Sequence, residues 1–428
     1  MRRVFLLGSL AYALLFLGLA TLNGRMLALA IPLVVLLGAA FLWGPETPQL
    51  KITRSLSAES VPPGAPVVVT LLVVNEGPAL EEVAIEDAVP PGLEVIDGEA
   101  SALFSLPAGG EIEVTYTVRG KRGAFEFRDV RVAAGEYLGV FRRRATVLVF
   151  GRLFILPEVS NMRQMAIRPL RTRAYAGPVP ARQGGSGVAF YGVREYQPGD
   201  PLRWINWQVS ARHRHRLFTN EFEQERVADV GLILDARRRS DVRGPGGALF
   251  EHAVAATASL ASSFLNDGNR VGLLVYGGFL DWTFPGYGKL QRKRILEALA
   301  RAETGESMVF ESFDYLPTRF FPAKSQIVLV SPLCAGDPPM LVRLRARGYQ
   351  VLVVSPDPVS FEARTLGAQP DVELATRIAR LERALLLRKL RRAGIQVVDW
   401  QVERPFDRVV HASLDRTPQW FRAVGVEA

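Results

Sequence analysis

The stretch Val227-Ala228-Asp229-Val230-Gly231-Leu232-Ile233-Leu234, closed by Asp235, decides the fold of the second half of the chain. Its aliphatic residues run on with almost no polar alternation and stop after eight positions, the length of a strand covered on both faces rather than of a helix. Downstream the period changes back and forth. Residues 248–265 read as a helix with small residues on its packing side, 270–276 as a strand and 290–302 as a helix. Strands are predicted again at 327–331 and 351–354, with a helix at 340–347 between them. Leu374, Ile378, Leu381 and Leu385 then recur at i, i+4, i+7 and i+11, the stripe of one more helix, before residues 395–400 return to strand. This alternation predicts an α/β domain over 227–428, with helices covering a mostly parallel sheet.

Upstream lies an arginine-rich segment, 151–226. Between Ser160 and Asn220 ten arginines (163, 168, 171, 173, 182, 194, 203, 212, 214 and 216) stand against Glu195 and Asp200 alone, a local net charge of +8. The whole 428-residue chain carries +9 from 52 basic and 43 acidic residues, so nearly all the excess sits here. Such a patch can steer toward nucleic acid, an anionic lipid surface or an acidic protein face. Nucleic acid is the least favoured of the three, because no helix-turn-helix or finger pattern accompanies the charge. One cysteine, Cys334, and four histidines exclude a disulfide framework and any Cys/His zinc cluster within a single chain.

Residues 46–150 change to a period of two. Ile112, Val114, Tyr116 and Val118 alternate with Glu111, Glu113, Thr115 and Thr117, and 67–74 is a second strand. Pro62-Pro63-Gly64, Pro90-Pro91-Gly92 and Ala108-Gly109-Gly110 supply turns, and Gly120-Lys121-Arg122-Gly123 reads as a hairpin connection. Turns at this spacing predict an immunoglobulin-like β-sandwich. Ahead of it, residues 4–22 and 26–43 are apolar runs separated by Asn23-Gly24-Arg25. They predict a two-helix transmembrane hairpin over 1–45; a cleaved signal peptide ending near Gly18-Leu19-Ala20 is the alternative for the first run. Arg2 and Arg3 with Lys51 and Arg54, against Arg25 in the loop, orient the soluble parts to the cytoplasm of a two-span cell-membrane protein.

The most specific run of the chain lies in the arginine-rich segment: Gly187, then Arg194-Glu195-Tyr196-Gln197-Pro198-Gly199-Asp200, then Arg203, Ile205, Trp207, Ser210-Ala211-Arg212 and Glu221-Phe222-Glu223. This run resembles the signature of the domain of unknown function 58 family, membrane-associated proteins that accompany MoxR-type AAA+ ATPases. The resemblance implies such an ATPase as partner. The residues themselves say less. Pro198-Gly199 suits the centre of a type II turn. Asp200 can accept backbone N–H bonds or pair with Arg203, and Glu195 can pair with Arg194 or Arg212 beneath Trp207. The segment reads as a polar knot on the next domain, as a docking surface, or as an acid/base pair. His213 and His215 are two ligands without a third.

Leu232-Ile233-Leu234-Asp235 and Asn269-Arg270-Val271-Gly272-Leu273-Leu274-Val275-Tyr276 resemble a von Willebrand factor A domain, whose family holds a divalent cation through an Asp-x-Ser-x-Ser loop, a Thr and a second Asp. Asp235 fits the first position, but Arg237 and Arg239 stand at the two serines, and guanidinium offers no lone pair. Ser331-Pro332-Leu333-Cys334 lacks the expected Asp, Asp337 comes late and Ser240 is displaced. The metal site is therefore read as degenerate, with no metal and no cofactor, and Asp235 as a strand-end cap or the partner of an arginine.

These readings point to a membrane-anchored, non-enzymatic scaffold or adaptor, binding through its basic face and its α/β domain. The alternatives are a membrane-bound hydrolase using Glu195 and Asp200, and an envelope or surface-binding protein of opposite topology. No nucleophile motif or Gly-rich phosphate loop supports the hydrolase.

Overall fold

The computed structural model describes residues 2–42, 48–135, 142–162, 172–213, 216–244, 247–307, 310–367 and 370–414. Arg163, Arg168, Arg171, Arg214 and His215 of the basic segment lie outside the described residues. The chain divides into two compact units, Met1–Leu156 and Pro157–Ala428.

In the first unit the apolar runs form helices α1 (Arg2–Ala20) and α2 (Gly24–Leu42). Asn23 makes the turn: its N–H donates to Gly18 O (3.0 Å), and its side chain accepts from Arg25 N (3.1 Å). Among the described residues no helix is long and apolar enough to cross a membrane. The apolar part of each helix, between the arginines at its start and the end of its described turns, reaches about 25 Å at 1.5 Å per residue, against ~30 Å of hydrocarbon. The expected pair of spans is thus unsupported by the described helices.

Strands β1 (Leu50–Leu56), β2 (Ser60–Val61), β3 (Val67–Asn75), β4 (Leu80–Asp87), β5 (Leu93–Gly98), β6 (Ser101–Leu106), β7 (Glu111–Gly120), β8 (Gly123–Gly135) and β9 (Arg142–Ile155) build two facing sheets. Their orders are β1-β3-β7-β5 and β2-β9-β8-β4-β6. The first is the ABED order of an immunoglobulin sandwich, and β9-β8-β4 within the second is the GFC order. Alternation does what it should: Val67, Val69, Leu71 and Val73 of β3 and Val114, Tyr116 and Val118 of β7 are buried between the sheets.

A charged group sits in that core. The side chains of Arg54 on β1 and Asp87 on β4 are both 0% exposed and ion-paired. Arg54 Nε donates to Asp87 Oδ2 (3.2 Å), another guanidinium nitrogen donates to Val149 O, and Tyr116 OH donates to Asp87 (2.6 Å). Burial first, and the Asp87 bond second, push the Tyr116 phenol well above its usual range. The charge of Arg54 is thus compensated inside the sandwich and is not available at the chain's surface.

The second unit carries β10 (Thr172–Glu195), α3 (Trp207–Ser210), β11 (Phe218–Ala236), a short ribbon β12 (Arg243–Gly244) with β13 (Gly247–Ala248), α4 (Leu249–Asn266), β14 (Arg270–Gly277), β15 (Leu280–Gly286) and α5 (Gly288–Arg301). It continues through β16 (Gln326–Val330), α6 (Pro338–Ala346), β17 (Gln350–Pro356), α7 (Pro358–Leu366), α8 (Pro370–Arg392), β18 (Gln396–Trp400) and α9 (Phe406–Leu414). The sheet order is β15-β14-β11-β16-β17-β18, parallel except for the edge strand β15. The sheet is therefore mixed. β11 is central and buried throughout its second half, as its aliphatic run demands, and Gly231 lets the Phe321 ring lie against it: a Cβ there would come within 2.3 Å of the ring. The first half of β11 extends beyond the sheet and pairs antiparallel with β10. One strand thus runs unbroken through 226/227, where the sequence placed a domain boundary. The stripe of α8 also lies otherwise than its neighbours: Leu387 and Leu390 are buried, whereas Leu374, Ile378, Leu381 and Leu385 face outward.

Asp87→Ala in the full chain should destabilise the sandwich by about 3–5 kcal/mol, because it strands a buried guanidinium. The paired change Arg54→Met/Asp87→Leu should recover most of the loss in chemical denaturation followed by tryptophan-independent circular dichroism. Equal stability of Asp87→Ala and wild type would exclude a buried pair.

Candidate functional site

Two constellations emerge at the ends of β11. At its start, the loop 196–217 closes the β10–β11 hairpin. Arg194, at the end of β10, grips Asp200 in a bidentate pair, Nη1 to Oδ2 at 2.8 Å and Nη2 to Oδ1 at 2.7 Å. Gln197-Pro198-Gly199-Asp200 is a β-turn closed by Asp200 N donating to Gln197 O (3.0 Å), with Gly199 at φ +110° in the position that favours glycine. Gln197 N also donates to Asp200 Oδ2 (2.9 Å). The Arg194 hydrogen bonds first and this N–H second hold the Asp200 carboxyl below its usual range.

The rest of the loop is pinned to β11. Tyr196 N donates to Leu217 O, Asn206 caps α3 by accepting from Val209 N and donates to Asn220, and Ser210 accepts from Phe218 N (2.8 Å). Ile205 and Ser210 are buried. The expected partners differ in detail. Asp200 pairs with Arg194, not Arg203; Glu195 is exposed and lies 3.7 Å from Arg216, not beside Arg212; and Trp207 covers neither, being 67% exposed. Arg203 stands over the Trp204 ring at 6.0 Å, and Arg203 and Arg212 are exposed. Leu202, 71% exposed, completes an outward face of apolar and cationic groups. Asn206, which the motif passed over, was legible as an Asn-x-x cap before a short helix.

At the other end of β11, strands β11 and β16 are neighbours whose connections leave in opposite directions. That is the place where an open α/β sheet forms a crevice beyond its carboxyl ends. Asp235 ends β11 there, and Arg237 fills the crevice. Its Nε and Nη2 donate to Asp235 Oδ1 and Oδ2, each at 2.7 Å, and Nη1 and Nη2 donate to Asp337 Oδ1 and Oδ2, each at 2.9 Å. Nη1 also donates to Glu311 O, and the guanidinium stacks 3.7 Å from the Phe313 ring centroid. Ser331 Oγ donates to Asp235 (2.6 Å). The Arg237 side chain is 3% exposed and both carboxylates 0%. Burial opposes its charge, but the bonds to Asp235 and Asp337 outweigh burial and hold the guanidinium charged, above its usual range.

Asp337 arrives because the loop after β16 doubles back. Leu333 adopts φ +65°, a conformation rare for a branched residue, its N–H donates to Ser331 Oγ, and Cys334 N donates to Asp337 Oδ2 (2.8 Å). The carboxylate that the sequence lacked at the expected position is thus supplied by Asp337, the N-cap of α6. Arg239 adds a bond to Asp337 at 3.3 Å from a half-exposed position. Burial raises the neighbouring Cys334 thiol. Two carboxylates and a serine hydroxyl are oxygen donors of the sort a hard divalent ion takes, but their lone pairs are committed to a tethered cation. The residues do not fit a divalent metal. Among the described residues no group of three or more His, Cys, Asp or Glu is placed to hold one.

Residues 192–363, which contain both constellations, match the family model described as protein of unknown function DUF58. The uncharacterized protein YeaD of Bacillus subtilis (strain 168) is 34% identical over 197 residues, 45% of this chain and 47% of that protein, so the chain spans about half the length of its curated relative. Solved structures resemble about a quarter of the chain. The CARDB domain of a Pyrococcus furiosus protein is 13% identical, with 26% of this chain and 90% of that chain covered at a TM-score of 0.19. The FixG-related protein of Vibrio parahaemolyticus is 10% identical, with 26% and 98% covered at 0.19. At such scores nothing about function passes from them to this chain.

Arg237→Ser should leave Asp235 and Asp337 facing each other without a counterion and cost about 3–5 kcal/mol. Repulsion and burial raise carboxylate pKa values, so the variant should be more stable at pH 5 than at pH 8, where both groups must ionise. Millimolar Mg²⁺ should raise its melting temperature but not that of the wild type. A variant that melts with the wild type at both pH values would refute the clamp.

The depressed pKa of Asp200 sets a different sign. Its contribution is complete above the ordinary carboxyl pKa of about 3.9 and disappears as pH falls through the lower folded value. Amide exchange at Tyr196, Gln197 and Phe218 should therefore be faster in Asp200→Asn than in wild type at pH 6. The two should converge only in strong acid; convergence already near neutrality would contradict the pairing.

Proposed function

We propose that the chain is a membrane-anchored, non-enzymatic scaffold or adaptor that works with a MoxR-type AAA+ ATPase, and that the loop between β10 and β11 is its docking surface. The observation carrying this reading is the loop's division of labour. Arg194, Asp200, Asn206 and Ser210 are spent on holding its shape, while Leu202, Arg203, Trp207 and Arg212 point outward. Trp and Arg on a preorganised backbone are the groups that dominate interface energetics, and exposed arginines select an acidic partner surface. The ATPase itself is what the family resemblance implies.

The α/β unit is read as von Willebrand factor A-like with a degenerate metal position at Asp235; the crevice at β11 and β16 and its arginine fill support this. The anchor reading rests on the two apolar runs and on their outward apolar side chains, including Phe5, Tyr12, Phe16, Leu19, Leu29, Ile31 and Val35, a surface that water disfavours. With Arg2, Arg3 and Lys51 against Arg25, the soluble units face the cytoplasm. Against the hydrolase, both oxygens of Asp200 are engaged and its pKa is lowered, the opposite of what a general acid needs. The surface-binding alternative requires the opposite topology.

The test is binding of the detergent-solubilised full chain to a purified MoxR-type ATPase encoded in the same genome. Arg203→Glu/Trp207→Ala should weaken binding at least about tenfold, with a steep dependence on salt, and leave the melting curve unchanged. Undiminished binding by a folded variant would move the docking surface elsewhere, and absence of any binding by the wild type would end the partnership.

A further inference from the structure

Helix α8 is fastened to its unit by one face only. Leu387 and Leu390 are buried, and Arg383, 10% exposed, donates to Pro332 O (3.1 Å) just after β16 and to Ser355 O (3.1 Å) and Asp399 (2.7 Å) at the carboxyl ends of β17 and β18. With that face fixed, the opposite one is presented outward. Leu374, Ile378, Leu381 and Leu385 are 57%, 52%, 63% and 54% exposed. Four large aliphatic side chains in one line on a helix surface need a cover.

Their spacing says which cover fits. Steps of four, three and four are the narrow seam of a two-stranded coiled coil, not the broader band of a helix that lies on a sheet. In heptad terms Leu374 and Leu381 take d, and Ile378 and Leu385 take a; a β-branched residue at a with leucine at d favours two parallel strands. The flanking charges agree. Arg377 falls at g and Glu382, five residues on, at e, and both are exposed. In a parallel, in-register pair the g side chain of one helix meets the e side chain of the next heptad across the seam, so Arg377 faces Glu382 of the second copy, twice by symmetry. An antiparallel pair would bring arginine to arginine and glutamate to glutamate.

We propose that α8 is a self-association face, on which a second copy of this chain packs its own α8 in parallel register. The seam spans about three helical turns, roughly 17 Å, so the association is reversible and depends on concentration. This face lies on a different element from the β10–β11 loop and leaves that loop free.

The experiment uses the full chain in detergent, with Cys334→Ser removing the native thiol. Under mild oxidation Ile378→Cys should give a disulfide-linked dimer, since a positions meet their own counterparts only in a parallel pair. Arg380→Cys, at heptad position c away from the seam, should not. Arg377→Glu should lower the Ile378→Cys dimer yield about tenfold, and Arg377→Glu/Glu382→Arg should restore it. Equal cross-linking at 378 and 380, or failure of the charge swap to restore the yield, overturns the proposal. So does a stripe that serves a membrane instead: Leu381→Asp would then abolish binding to phosphatidylserine vesicles while cross-linking at 378 stayed absent.

Discussion

A guanidinium clamped between two buried carboxylates is the contact on which the carboxyl end of the α/β sheet depends. Parallel strands gather their carboxyl ends and the loops that follow, and the crevice between β11 and β16 must be filled by something that satisfies Asp235 and Asp337 together. Arg237 does this from within the chain. It also fixes the loop of Ser331 and Cys334, the start of α6 and the Phe313 ring around it. A bound metal would make this arrangement conditional on an ion and on pH. A tethered guanidinium neither dissociates nor titrates in the accessible range, so the crevice is held in one state.

The same device recurs. Arg54 sits between the sandwich sheets with Asp87, Tyr116 and the Val149 carbonyl, and Arg383 ties α8 to three strand ends. In each place the planar fork reaches several acceptors at once, which an ammonium group cannot do with the same geometry. The excess of arginine over lysine in the composition therefore has two sources. Part of it is internal scaffolding with its charge already matched, and part is exposed, as at Arg203 and Arg212 of the β10–β11 loop.

That loop and α8 share a design. Each is locked by polar or apolar contacts on one side and presents apolar side chains on the other, so the exposed groups stand on rigid supports and lose little freedom when covered. Trp207 and Leu202 are mixed with arginines, whereas the stripe of α8 is aliphatic and ordered in a heptad, which suits covers of different chemistry.

The sequence by itself determined the elements. Aliphatic runs without alternation gave the central strands, period-two alternation gave the sandwich, Pro-Gly gave the turn before Asp200, and arginines at positions 237 and 239 placed guanidinium groups beside Asp235. These are local matters, decided by side-chain periodicity and donor chemistry. Only the tertiary structure decided the partners: Arg194 rather than Arg203 for Asp200, Asp337 for Arg237 from 100 residues away, Arg54 turned into the core, and the α8 stripe turned out of it. Sequence spacing cannot reveal these, because a side chain's partner depends on which strand ends the sheet brings together. Which face of an amphipathic helix is covered depends likewise on where its other contacts fasten it.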